Sequence, residues 1–95
     1  MESERFEWDD RKAVANLRKH RIEFNEVVTV FDDPYVLIEL DLVHSVEELR
    51  ATAIGFSVKN RVLLVVYVEP QERIRLISAR RATPEERRRY ESQFE

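Results

Sequence analysis

The sequence predicts an α+β fold, an antiparallel sheet made of a short N-terminal strand plus a four-stranded meander. Two N-terminal helices and one C-terminal helix pack against it. Three observations carry this prediction. The apolar spacing changes from helical to strand-like near Tyr35. The run Val62-Leu63-Leu64-Val65-Val66 has the continuous β-branched and apolar character of a central strand covered on both faces. Thr83-Pro84-Glu85-Glu86 places Thr at N-cap, Pro at N1 and Glu at N3, a capping box with the favoured proline.

In chain order, Arg5-Phe6-Glu7-Trp8 alternates polar and apolar residues, as a short half-buried strand does. Asp9 or Asp10 sits where an N-cap belongs, ahead of a helix from Arg11 to His20. Ala13, Val14 and Leu17 form its expected apolar stripe, whereas Lys12, Asn16 and Lys19 fall at i, i+4 and i+7 on another face. A second helical pattern runs through Val27, Val28 and Phe31 and ends at Asp32-Asp33-Pro34, because the residue before proline is pushed out of the helical region. Strands are expected over 35–40, 49–57, 62–68 and 73–79. A polar connection over 41–48 and turns at 58–61 and 70–72 separate them. The last helix should reach about Phe94, with Arg87, Tyr90 and Phe94 near one face.

At 95 residues the chain is expected to form a single domain, 1–95, whose core buries roughly 60–70% of the unfolded surface. With no cysteine, disulfides and thiolate chemistry are excluded, and two histidines make a His-rich zinc site improbable. The lone glycine, Gly55, lies inside a strand pattern, so no phosphate-cradling glycine loop exists and nucleotide cofactors are not expected. No apolar run approaches the ~20 residues of a membrane span. Met1 to Arg5 does not read as a signal peptide, so a cytoplasmic protein is expected.

Net charge is −3, but its distribution is uneven: residues 1–48 carry −7 and residues 49–95 carry +4. Nine of the ten later cations are arginines, whose planar fork suits phosphate. Such asymmetry fits one face for a polyanion and an acidic face for a basic partner, or equally a surface of salt bridges between the halves. The densest candidate site is Arg73-Ile74-Arg75-Leu76-Ile77-Ser78-Ala79-Arg80-Arg81. Arg73 and Arg75 share one strand face, and Arg80 and Arg81 lie at the N-terminus of the last helix, where free N–H groups favour anions. The competing reading is an Arg-edged strand that discourages edge pairing. A second candidate joins Lys12, Asn16, Lys19 and His20 on the first helix, either a phosphate-holding face or a solvated one. A third joins His44, Glu47, Glu48 and Arg50 in the connection and the strand after it.

The ordered set Phe6-x-Trp8-Asp9-x-x-Lys12, Asn16-x-x-Lys19-His20-x-Ile22-x-Phe24 and Phe31-Asp32-Asp33-Pro34 resembles the start of the BrnT family. The resemblance continues through His44-x-x-x-Glu48-x-Arg50-x-x-x-Ile54-Gly55, Arg73-Ile74-Arg75-x-Ile77-Ser78-Ala79-Arg80-x-Ala82 and Thr83-x-x-Glu86-Arg87-x-x-Tyr90. It covers about residues 6 to 91. One departure is Arg21, where many relatives carry glycine. The resemblance implies a RelE-like fold and a ribonuclease toxin of a type II toxin–antitoxin pair that cleaves RNA without metal by attack of the ribose 2′-hydroxyl. By family position it implies catalytic roles for Arg80 with Arg73 or Arg75, then Arg50, Glu48 and His20. RNA contacts fall to Lys12, Lys19, Arg81 and Asn16. It further implies a BrnA-like ribbon-helix-helix antitoxin, operator DNA bound only through that antitoxin, and a possible homodimer within the complex. The rival reading is a non-catalytic adaptor that modulates the antitoxin's grip on DNA, and a third is a plain RNA-binding module.

Overall fold

The computed structural model describes residues 5–45 and 48–95. Five strands form one sheet: β1 (Phe6–Trp8), β2 (Leu37–Leu40), β3 (Arg50–Phe56), β4 (Val62–Val68) and β5 (Ile74–Arg81), in the spatial order β1-β5-β4-β3-β2. Helices α1 (Asp10–His20) and α2 (Phe24–Val28), the latter extended by a 3₁₀ turn over Thr29–Asp32, lie between β1 and β2 in sequence. Helix α3 (Pro84–Glu91) follows β5 and continues as a 3₁₀ turn to Phe94.

Strands β2 to β5 form the expected antiparallel meander. The sheet is nonetheless mixed rather than antiparallel throughout, because β1 pairs parallel with β5. The two helices carry the chain from one sheet edge to the other, and the meander returns to bring β5 alongside β1. A three-residue strand of alternating polarity shows which side chains face inward but carries no signal of its direction.

Alternation sorts the core. On one face Tyr67, Val65, Leu63, Ala51, Ala53, Leu76 and Ala79 pack with Ile22, Phe24, Val27, Val30 and Phe31 of the α2 region. On the other face Ile54, Val62, Leu64 and Tyr90 form a smaller cluster under α3. Gly55 lets the 3₁₀ turn approach β3 closely: a Cβ there would stand 3.1 Å from Val30 Cγ1 and 3.2 Å from Asp33 Oδ2. Asp33 binds this junction together, accepting from the N–H groups of Tyr35 and Phe56 and from the Tyr90 hydroxyl. Those hydrogen bonds hold its carboxyl below the usual range although burial opposes them.

Helix α1 departs from its expected orientation. Val14 and Leu17 are 50% and 41% exposed, while Asn16 is buried at 5%. The Asn16 amide explains the rotation. Its Nδ2 donates to the Ile22 carbonyl at 3.1 Å and its Oδ1 accepts from the Ala79 N–H at 2.9 Å, tying α1 to β5. Of the expected stripe Ala13 still packs against the core, and a buried amide with both ends bonded takes the inward place of Val14 and Leu17.

Candidate active face

Strand registers place Glu7, Arg75, Val68 and Arg50 in one row across four strands, all on the α3 side of the sheet. The next row is Ser78, Val66, Thr52 and Glu39, and the next is Arg80, Leu64, Ile54 and Leu37. A bulge in β5 opposite Val66/Tyr67 puts Arg75 and Ser78, three residues apart, on the same face. Helix α3 packs over the third row, where Tyr90 meets Ile54 and Leu64.

Arg75 is held from two sides, its Nε 2.8 Å from Glu7 Oε2 and its Nη1 3.8 Å from Glu48 Oε2. Arg73 follows the same face: its Nε lies 3.4 Å from Glu7 and its Nη2 donates to the Phe6 carbonyl. Glu7, absent from the expected site residues, is the carboxylate that gathers both arginines. The alternation Phe6-Glu7-Trp8 already placed it opposite the two aromatic residues. On Arg50, the buried Nε has no hydrogen-bond partner among the described residues.

Two adjoining depressions flank β5 beyond the end of β1. Glu7, Glu48, Arg75, Lys12 and Ile77 border one, and Lys12, Lys19, His20, Ile77 and Ser78 border the other. Lys12 and Ile77 belong to both, so the two form a continuous strip from Glu48 to His20. The structure therefore brings together Lys12, Lys19, His20, Glu48 and Arg75, with Arg73 and Arg50 adjoining.

Three expected residues are placed otherwise. Asn16 lies beneath the strip, and its amide is spent on the backbone, so it positions α1 rather than presenting itself to solvent. Arg81 pairs in register with Leu63 and so lies on the opposite face of the sheet from Arg80. Arg80 shares the arginine face, but its guanidinium is engaged in two parallel bonds with Glu86 at 2.7 and 2.9 Å. Glu86 also accepts from the Thr83 N–H while Thr83 Oγ1 accepts from the Glu86 N–H, completing the capping box. The expected anion site at this helix start is thus filled by the chain's own carboxylate, whose pKa falls to about 2 beside Arg80. His44 pairs with Asp41 at 2.8 Å on an exposed loop, and Glu47 lies outside the described residues. Among the described residues no three His, Asp or Glu side chains converge as a metal site would require. No helix among them is long and apolar enough to cross a membrane.

A family model described as the ribonuclease toxin, BrnT, of type II toxin–antitoxin systems matches residues 8–86. The chain belongs to the BrnT family. Its fold is similar to the crystal structure of the Brucella abortus ribonuclease toxin BrnT, with a TM-score of 0.67 and 19% identity over 85% of this chain and 99% of that one. None of the curated proteins matches significantly. Family membership carries the type II arrangement, in which a BrnT toxin is paired with a protein antitoxin.

Proposed function

We infer that this BrnT chain is an endoribonuclease that cleaves RNA without metal, through attack of a ribose 2′-hydroxyl on the adjacent phosphate, and thereby stops translation and growth. The observation that carries this reading is the row Glu7–Arg75–Val68–Arg50 with Glu48 beside it, opening onto the cationic strip along α1. The reaction needs charge stabilisation on a pentacoordinate phosphate and two proton transfers on opposite sides of phosphorus. Arg75 and Arg50, supported by Arg73, supply permanent charge and planar donors. Glu48 takes the proton of the attacking hydroxyl and solvent protonates the leaving 5′-oxygen, while His20, about two helical turns beyond Lys12, positions the RNA at the far end of the strip. Lys12 and Lys19 hold the RNA backbone. Arg80 joins the site only by leaving Glu86. The antitoxin is of the BrnA ribbon-helix-helix type, and it carries the complex to operator DNA.

The test is induced expression of the chain beside Arg75→Ala and Arg50→Ala twins, following growth and total RNA. Growth arrest with RNA loss is expected for the parent and at least a hundredfold slower cleavage for either twin, undiminished by a chelator in purified reactions. Intact RNA in arrested or growing cells overturns the reading. One observation favours the adaptor alternative, the pairing of Arg75 and Arg80 with the chain's own carboxylates. Stable antitoxin binding without any cleavage would establish that alternative instead.

A further inference from the structure

The sheet face covered by α2 ends in an open groove at the β2 edge. Its floor includes Phe31, Val36, Ile38 and Tyr67, and its rim carries Glu69 and Glu72. Ile38 is 45% exposed and Leu40, on the same face of β2, is 59% exposed. Strand β2 is the last in the sheet, and its residues Leu37–Leu40 include no Lys, Pro or bulge of the kind that blunts an edge. The Asp41 N–H donates to the Arg50 carbonyl at 2.8 Å. By the alternation of an antiparallel ladder, residues 37 and 39 then bond inward to β3 while Ile38 and Leu40 turn their peptide groups outward. The edge therefore offers free backbone partners and apolar side chains at the same two residues.

Charge decides what fits there. Of the groove's lining residues only Arg5 is cationic, and its guanidinium stacks over the Phe6 ring at 5.1 Å. On the opposite face of β2, Glu39 is matched by Arg89 at 3.0 Å, so the excess charge of this edge belongs to Glu69 and Glu72. RNA would meet like charge. A second copy of the chain would bring the same two carboxylates, and residues 1–4 carry Glu2 and Glu4. We propose that the β2 edge and this groove dock a short extended segment of a partner protein, one that presents two apolar side chains on one face with Lys or Arg beyond them. Its backbone pairs with Ile38 and Leu40, its apolar side chains enter the groove, and its cations meet Glu69 and Glu72. This surface is separate from the arginine face, and the proposal stands whether or not the chain cleaves RNA.

The probe is a blocked octapeptide with Val at positions 2 and 4, Lys at positions 6 and 8 and Thr between them, so that Val and Lys share one strand face, compared with a Val/Glu twin and with a Val/Lys version N-methylated at alternate residues, which cannot add to a strand edge. Backbone amide shifts of the full chain report both site and affinity. The Val/Lys peptide should shift residues 38–41 and bind at least tenfold tighter than either comparison peptide. Ile38→Asp, Leu40→Lys, and Glu69→Lys with Glu72→Lys should each weaken it at least tenfold, with the remaining amide spectrum unchanged to show a native fold. Shifts confined to Lys12 and Arg75, equal binding of the N-methylated peptide, or affinity unaltered in both the Ile38 and Leu40 variants would overturn the proposal. So would self-association of the parent chain that Ile38→Asp abolishes, since a second copy would then be the occupant.

Discussion

Arg21 occupies the left-handed region at the end of α1, with φ 60° and ψ 35°, and its N–H closes the helix on the Leu17 carbonyl at 2.9 Å. A side chain in that conformation brings Cβ against the following carbonyl, a cost of roughly 1–2 kcal/mol that glycine avoids. The left-handed region is one that glycine adopts freely, so an arginine here has a defined physical consequence. Arg21→Gly should stabilise the fold by about 1 kcal/mol once glycine's greater unfolded-state freedom is set against the relief, raising Tm by roughly 4–8 °C in thermal unfolding. An unchanged or lower Tm would mean that the guanidinium contributes more than the backbone strain costs. Asn16, one turn earlier, marks the limit of reading residues from spacing. Its i+4 relation to Lys12 suggested a shared polar face, yet the periodicity of a helix cannot distinguish an amide destined for solvent from one that satisfies Ile22 and Ala79 in the interior.

Helix α3 is the element whose local sequence and long-range anchoring are easiest to separate. Its capping box and its proline were legible in Thr83-Pro84-Glu85-Glu86, because all partners lie within four residues. Its tertiary anchors were not: Tyr90 bonds Asp33 and Arg89 bonds Glu39. Pairs separated by fifty or more residues leave no trace in local periodicity, and the same reason hid the parallel pairing of β1 with β5. The meander, by contrast, was readable from strand runs and short turns, and Val62–Val68 has the bounds expected of it. The Arg80–Glu86 pair gives the element a measurable signature. Glu86 has its carboxyl lowered from 4.5 to about 2, chiefly by the Arg80 bond. A depressed folded-state pKa contributes stability that is fully present above 4.5 and is lost as pH falls toward 2. Glu86→Gln should therefore be less stable than the parent at pH 7, and the gap should close between pH 4.5 and pH 2 in denaturant titrations. A gap that stayed constant across that range would show that Glu86 acts through its capping bond to Thr83 and not through its charge.

Across the whole molecule, folding cancels much of the charge polarity that the sequence displays. Acids of the first half meet cations of the second at Glu7–Arg75, Glu26–Arg61, Glu39–Arg89 and Glu48–Arg75. The Glu26–Arg61 pair is nearly dry on the acid's side, with Ser57 donating a further bond, and so fastens the β3–β4 hairpin to α2. The residual cations near the arginine face are on α1, where Lys12 and Lys19 border the strip. Under the proposed function, this arrangement divides binding from chemistry. A phosphate reaching Arg75 meets a guanidinium already shared with Glu7 and Glu48, whereas Lys12 and Lys19 have no ion pair among the described residues. Single-stranded RNA affinity should then fall with salt at a slope of about 0.7 per phosphate neutralised. Lys12→Ala and Lys19→Ala should each lower the slope by roughly that amount. Arg75→Ala should change it less while removing cleavage. Binding titrations of a short uncleavable RNA between low and physiological salt measure this directly. Equal slopes in the parent and both lysine variants would place the RNA off the α1 strip, and a larger slope change in Arg75→Ala than in either would show that the arginine, not the helix, anchors the backbone.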